Sequence, residues 1–220
     1  MKIIIITDDS GVKLPVFNKW KNTYGKGIDI SKNSEFISLL NSKNCECPTN
    51  DITKESIYRI ILKQYIRPAR SMFAGMFREV LLFVDKLSNK LPTELFVISG
   101  RYGLIDENFE IIPYHYHIDT LEKLTEVDNR TKLLIKIQKI IQKDVICILL
   151  LPKHYLQFFL KNKLFENIPK NSVLIIVSTE EYEEYSKKND NIIFLHRIGV
   201  ARIGKDNQRK IFAIIEKMNA

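Results

Sequence analysis

Five short apolar runs punctuate the chain: KIIIIT (2–7), ELFVIS (94–99), VICILLL (145–151), SVLIIV (172–177) and NIIFLH (191–196). Each is nearly continuous rather than alternating, and rich in Ile and Val. Strands buried on both faces of a parallel sheet read in this way. Between the runs the apolar spacing becomes helical. Ile57, Ile60, Ile61 and Tyr65 predict a helix within 52–66, and Met76, Val80, Phe83, Val84 and Leu87 predict one within 72–87. Leu124, Leu133, Leu134, Ile137, Ile140 and Ile141 predict a long helix over 121–141, and shorter ones are expected at 153–160, 180–187 and 206–218.

Strands alternating with helices predict an α/β fold, with a mostly parallel, Rossmann-like sheet, helices around it and right-handed crossovers. Residues 8–50 break the alternation. They are polar, rich in Gly, Asn and Ser, with Trp20, Tyr24 and Phe36 scattered among them, and read as a loop-rich insertion holding an extra hairpin or a long functional loop. Without repeats, low-complexity tracts or a linker, residues 1–220 are expected to form one domain, and that length suffices for a sizeable core.

In open parallel sheets, ligands bind beyond the carboxyl ends of the strands. Here those ends carry Asp8, Asp9 and Ser10; Ser99 to Tyr102; Lys153 and His154; Ser178 to Glu181; and His196 and Arg197. Polar residues follow most strands because loops are exposed. The stretch from Ser99 to Asp119 goes further, with two glycines around Arg101 and Tyr102, then Pro113-Tyr114-His115-Tyr116-His117.

Charge and cysteine content narrow the classes. The net charge of +8 favours polyanionic partners, nucleic acid first among them. No apolar run reaches the ~18–20 residues of a membrane span, and the first residues lack the cleavage region of a signal peptide. A cytoplasmic protein without a membrane partner is expected; the sequence does not indicate its oligomeric state. Three cysteines, Cys45, Cys47 and Cys147, make neither a disulfide framework nor a zinc site. Cys147 lies in an apolar run and reads as core.

Each motif has a chemical and a plain reading. In Ser99-Gly100-Arg101-Tyr102-Gly103, glycines permit positive φ and close approach, and free N–H groups and Arg101 suit a phosphate or carboxylate. Tyr102 and Tyr114 offer faces on which a base stacks. The plain reading is a strand-ending turn with a tyrosine folded onto the core. Asp8 and Asp9 suit acid–base chemistry or Mg²⁺, and equally suit a turn. His115, His117 and Asp119 alternate onto one face. A solvent-facing edge explains them more simply than a metal site, so no metal or other cofactor is expected. His115 remains a proton-transfer candidate, since its ordinary pKa is near neutrality.

Gly199 to Asp206 approximates a phosphate-binding P-loop, but Asp206 replaces the required Ser or Thr, and the segment follows the last strand. Nucleoside triphosphatase chemistry is therefore rejected. What remains is a basic cluster of His196, Arg197, Arg202, Lys205, Arg209 and Lys210 around an expected helix N-terminus, suited to phosphate backbone contact. Arg70, before the second long helix, is a further contact candidate, and Ser71 a candidate cap for that helix.

Ser99, Gly100, Tyr102, Gly103 and Leu104, followed by Ile112, Pro113 and Tyr114, form S-G-x-Y-G-L…I-x-P-Y. This resembles the signature of the YaaA-like peroxide-stress protein family and, more loosely, of uncharacterised bacterial and archaeal relatives carrying S-A-K-Y-G-L. Ala69, Arg70, Phe73, Gly75 and Phe77 look like a shifted copy of the helical A-R-x-x-Y/F-x-G-x-x-F stretch of those relatives. The resemblance implies an α/β fold with the motif loop lining a cleft, and a link to nucleic acid. YaaA-like proteins are associated with DNA binding and protection under oxidative stress, and the related domain with enzymes that exchange or remove modified bases.

The expected function is a nucleotide- or base-binding cleft at the strand carboxyl ends, with chemistry at an N-glycosidic bond if it is an enzyme. Asp8, Asp9 and His115 are the catalytic candidates. Ser99, Gly100, Arg101, Tyr102, Gly103, Pro113 and Tyr114 are the ligand-binding ones, and Arg70, Arg197, Arg202, Lys205 and Arg209 the nucleic-acid contacts. The alternative is a non-catalytic DNA-binding module built on the basic C-terminal cluster.

Overall fold

Four consecutive isoleucines place β1 (Lys2–Asp8) at the centre of the sheet. Ile3 and Ile5 enter the core on one face and Ile4 and Ile6 the core on the other, all at most 2% exposed. A strand with apolar side chains on both faces must be covered on both, so helices pack above and below. The computed structural model describes residues 2–15, 26–141, 144–166, 168–179, 189–199 and 201–218.

Among the described residues seven further strands follow: β2 (Arg67–Pro68), β3 (Thr93–Ser99), β4 (Gly103–Asp106), β5 (Glu110–Ile111), β6 (Val145–Leu150), β7 (Val173–Ser178) and β8 (Ile192–His196). The helices are α1 (Ser34–Asn41), α2 (Glu55–Ile61), α3 (Ala69–Met72), α4 (Phe77–Ser88), α5 (Leu121–Thr131), α6 (Leu133–Ile141), α7 (Lys153–Lys161) and α8 (Lys205–Met218). The six-stranded sheet runs β4-β3-β1-β6-β7-β8, with only β4 antiparallel. All five expected strands are present, and the chain is a single α/β unit as expected.

Helices α1, α2, α4 and α8 pack on the Ile3/Ile5 face, and α5, α6 and α7 on the Ile4/Ile6 face. The chain leaves β1 toward β3 along one face and returns to β6 along the other. The strand order therefore reverses between β1 and β6, and the crevice beyond their carboxyl ends is the usual ligand position in doubly wound sheets.

Several local expectations are corrected. The stretch after Ser99 is a hairpin rather than a loop: Ser99 pairs with Gly103, and Phe96 with Asp106. Only residues 112–119 remain a strap without regular structure. The helix expected from residue 72 begins at Phe77, because Gly75 has φ +67° and Leu14 and Ala74 donate backbone N–H groups to Met72 and Val12. Ser71 lies in α3, and Met76 occupies the cap of α4 without a side-chain bond. The helix over 121–141 is broken at Lys132, a left-handed residue at φ +56°, and the Asp128 carboxylate caps Leu134 N at 2.8 Å. The insertion contains α1, capped by Asn33, and Lys13 bridges Ile28 and Phe73. Trp20, Tyr24 and the helix expected at 180–187 lie outside the described residues. Among the described residues no helix is long and apolar enough to cross a membrane.

Candidate active site

The end of β1 brings Asp8 and Asp9 to the reversal point, 3% and 0% exposed. Asp9 is held on one side only. Its Oδ2 accepts the Tyr114 hydroxyl and the Gly100 N–H, the latter at 3.0 Å. Its Oδ1 makes no hydrogen bond and lies 3.5 Å from His117 Nδ1, at the outer limit of contact. Burial pushes the Asp9 carboxyl up, but His117, Lys13, Gly100 N–H and Tyr114 outweigh it and hold the group below its ordinary value. Asp8 goes the other way. Burial raises it, the neighbouring Asp9 adds to the rise, and Arg202 only partly opposes it. Adjacent carboxyls driven apart in this way can divide acid and base roles.

The glycine-flanked turn does bind an anion, but that anion is Asp9. Ser99 Oγ accepts from Arg101 N at 3.2 Å and Tyr102 N at 3.1 Å, and meets the Tyr114 hydroxyl at 2.7 Å. Arg130 closes the turn from α5, donating to the Arg101 and Gly100 carbonyls at 2.6 and 3.0 Å. A Cβ at Gly100 would lie 2.6 Å from the Tyr116 ring, so glycine is required for close packing there.

Several expected ligand contacts are thereby corrected. Arg101 is fully buried; its Nε and Nη2 bond Glu55 at 3.0 and 2.7 Å, and its Nη1 donates to the Thr49 carbonyl. Its donors are engaged within the protein, where they pin residues 49–55 against the turn. Tyr114 is fully buried, and Tyr102 is edge-on to it with ring centroids 6.0 Å apart and its hydroxyl on Glu55. Neither ring offers an open face for a base. Ser99 caps its own turn, and Pro113, within the strap, is buried. Gly103 serves the hairpin, at φ +73°.

The strap alternates as expected, with His115, His117 and Asp119 outward and Tyr114 and Ile118 buried. His115 lies 3.9 Å from Asp29, away from the aspartate pair, so the proton-transfer position beside Asp9 belongs to His117. Asp9 raises the His117 imidazole above its ordinary value. Among the described residues no three His, Cys, Asp or Glu side chains are placed to hold a metal ion.

The basic cluster divides. Arg202 is 9% exposed and donates to Thr7 Oγ1 at 2.7 Å and to the Asp8 and Asp9 carbonyls at 2.6 and 2.8 Å. Glu79, itself buried, receives the Arg202 and Gly204 N–H groups at 2.7 and 2.8 Å, so the P-loop look-alike turns these amides inward. Arg70 pairs with Asp85 and Glu107. Arg209 is exposed beside Asp206, and Lys205 borders a separate hollow at the start of α8. Arg197 alone of this group reaches the aspartates' crevice without a structural bond on its buried Nε.

Two hollows meet at Gly11, Val12 and His117. The one over Asp8 and Asp9, of ≈ 370 Å³, also takes in Gly75, Met76, Pro152 and Arg197. The other, of ≈ 560 Å³, lies between Lys13, Asp29 and the strap. Both fall within the ~300–1,000 Å³ range of small-molecule sites.

Sequence reading missed Lys13, Glu55 and Tyr155. Lys13 had a signal, as a lone cation among Val12, Leu14 and Val16. Glu55 had only its i,i+4 pair with Arg59, because its other partners, Arg101 and Tyr102, are assembled by the fold.

No protein-family model, curated protein or solved structure matches this chain. The reading of the site accordingly stands on its geometry.

Proposed function

We propose that this protein binds a nucleotide, free or within DNA or RNA, in the crevice beyond β1 and β6, and acts on its N-glycosidic bond. One observation supports this above the rest. Among the described residues six buried side-chain polar atoms make no hydrogen bond, and three of them belong to residues that line this crevice: Asp9 Oδ1, Arg197 Nε and Asp8 Oδ1, the last of these 3.1 Å from the Arg202 guanidinium. Buried polar atoms are ordinarily paired, and leaving one unpaired costs about 1–3 kcal/mol. Two carboxylate oxygens and one N–H in the crevice suit a ligand with hydroxyls and an acceptor, as a ribose with its phosphate provides.

Cleaving an N-glycosidic bond builds positive charge at the anomeric carbon and negative charge on the departing base. An ionised carboxylate stabilises the first and a proton donor the second. Asp9, held ionised by Tyr114, Gly100 and its neighbours, takes the first role, and water adds to the anomeric carbon as the base leaves. His117, more basic than usual and exposed at the crevice edge, takes the second. Asp8 and Arg197 orient the sugar and its phosphate. This reading agrees with the base-exchange and base-removal association that the S-G-x-Y-G-L resemblance implies.

The test is thermal shift against nucleobases, nucleosides, nucleotides and oligonucleotides, followed by assay of base release from whatever binds. Nucleotide stabilisation that is lost in Arg197→Gln, with base release lost in Asp9→Asn, is the expected result. No stabilisation by any of these compounds would overturn the reading. The basic C-terminal cluster as a separate binding module is the weaker alternative, because Arg202 is engaged internally and Arg209 pairs with Asp206.

A further inference from the structure

The second hollow contains a group that glycosidic chemistry leaves idle. Lys13 is 1% exposed, and its backbone is fixed to Ile28 by bonds of 3.1 and 2.7 Å. Its Nζ donates to the Ser10 carbonyl at 2.9 Å and lies 4.3 Å from the Tyr114 ring centroid and 5.8 Å from that of Phe73. No ion pair to a described carboxylate accompanies this placement; one carbonyl and two aromatic faces surround the amine. Burial pushes the ammonium below its ordinary value, against the attraction of Asp9. Lys13 also lines the ≈ 560 Å³ hollow, and His117 stands in the same wall.

A desolvated amine and a proton-transfer histidine lining one hollow suit imine chemistry. We propose that Lys13 is an imine-forming lysine and that this hollow takes a small hydroxylated aldehyde or ketone. The Nζ lone pair attacks the carbonyl carbon, the C–N bond forms, and the carbonyl oxygen gains a proton to give a carbinolamine. Loss of the nitrogen proton and of that hydroxyl, protonated as water, leaves the C=N bond. His117 supplies and recovers the protons, and no oxidant or reductant is consumed. Asp29, His115 and Asp119, in the same wall, offer partners to the hydroxyls of such a compound.

This goes beyond the nucleotide reading and concerns the adjoining hollow, so the two are assayed separately. The full chain is incubated at neutral pH with dilute glyceraldehyde and cyanoborohydride, which reduces any imine to a stable amine, and adducts are mapped by peptide mass. Lys13 is expected to be labelled at least about tenfold faster than the average lysine of the chain. The label should vanish in Lys13→Met and slow severalfold in His117→Gln, with the other lysines unchanged. Labelling of Lys13 at or below the average lysine overturns the proposal, and this wild-type map decides the matter even if Lys13→Met does not fold. Nucleotide stabilisation without selective labelling removes this proposal alone. Selective labelling without nucleotide stabilisation removes the crevice reading alone.

Discussion

The Tyr114 hydroxyl donates to Asp9 Oδ2, joining the strap to the end of β1 although the residues are 105 positions apart. Both side chains are fully buried, so water cannot replace the bond. Asp9 and Tyr114 affect each other in opposite senses: the phenol helps to lower the carboxyl, and burial with the carboxylate holds the phenol well above its ordinary value. Tyr114→Phe should leave Asp9 Oδ2 with Gly100 N–H alone. A loss of about 1–3 kcal/mol in urea denaturation at neutral pH is expected. In a double-mutant cycle with Asp9→Asn the two losses should not add. Additive losses would show that the contact contributes nothing.

The architecture was legible because each strand carries its own signature. The isoleucines of β1 and the run from Val145 to Leu150 read as doubly buried strands from residue types alone, and they are. The site was legible only in outline. Position along the chain put Asp8, Asp9 and the Ser99–Gly103 turn at one rim, and the fold does the same. It did not reveal that the turn's N–H would be taken by Asp9, or that Arg101 would find Glu55, 46 positions away. A free arginine and a buried, paired one have the same local sequence, and only tertiary packing distinguishes them. Lys132 and Gly75 were missed for a smaller reason: single left-handed residues break helices without disturbing apolar periodicity.

Arg202 and Arg209 should behave as opposites although seven residues apart in one basic segment. Arg202→Met removes the cation beside Asp8, at 3.1 Å, and leaves two strand-end carbonyls without donors. A loss of about 3–5 kcal/mol is expected. Arg209→Ala removes an exposed pair and should stay within about 0.5 kcal/mol. Chemical denaturation of the two variants checks this. An Arg202→Met protein as stable as wild type would return Arg202 to the list of surface contacts.

The pH dependence follows from the His117–Asp9 pair. His117 is raised from 6.5, so its contribution is complete below that pH and is lost as pH rises through the higher folded value. Asp9 is lowered from 3.8, so its contribution is complete above that pH and is lost as pH falls through the lower folded value. The pair therefore contributes most between 3.8 and 6.5. The stability difference between wild type and His117→Gln should peak in that window and shrink toward alkaline pH. It should remain below about 1 kcal/mol, because nearly half of the imidazole meets water. NMR titration offers an independent check: the His117 midpoint should fall when Asp9 is replaced by Asn. An unchanged midpoint would mean that the 3.5 Å approach carries no interaction.

Gly103 is where the hairpin, helix α5 and the site meet. Its φ is +73°, a conformation that side chains disfavour, and a Cβ there would lie 2.4 Å from Thr131 Oγ1 and 2.5 Å from Thr131 Cβ. Thr131 cannot yield by turning, since its own Cβ is among the clashing atoms. Gly103→Ala must therefore displace the end of α5 as well as strain the backbone. Strain costs about 1 kcal/mol and overpacking about 1–3 kcal/mol more. The displacement reaches the site because Arg130, the preceding residue, holds the Gly100 and Arg101 carbonyls. Gly100 N–H would then be less well aimed at Asp9. Gly11→Ala is the control, with no atom within 4 Å of the added Cβ, and should be close to neutral. Gly103→Ala should thus lower stability and shift the His117 midpoint relative to Gly11→Ala. Loss of stability with an unmoved midpoint would show that the turn supports the fold without positioning Asp9.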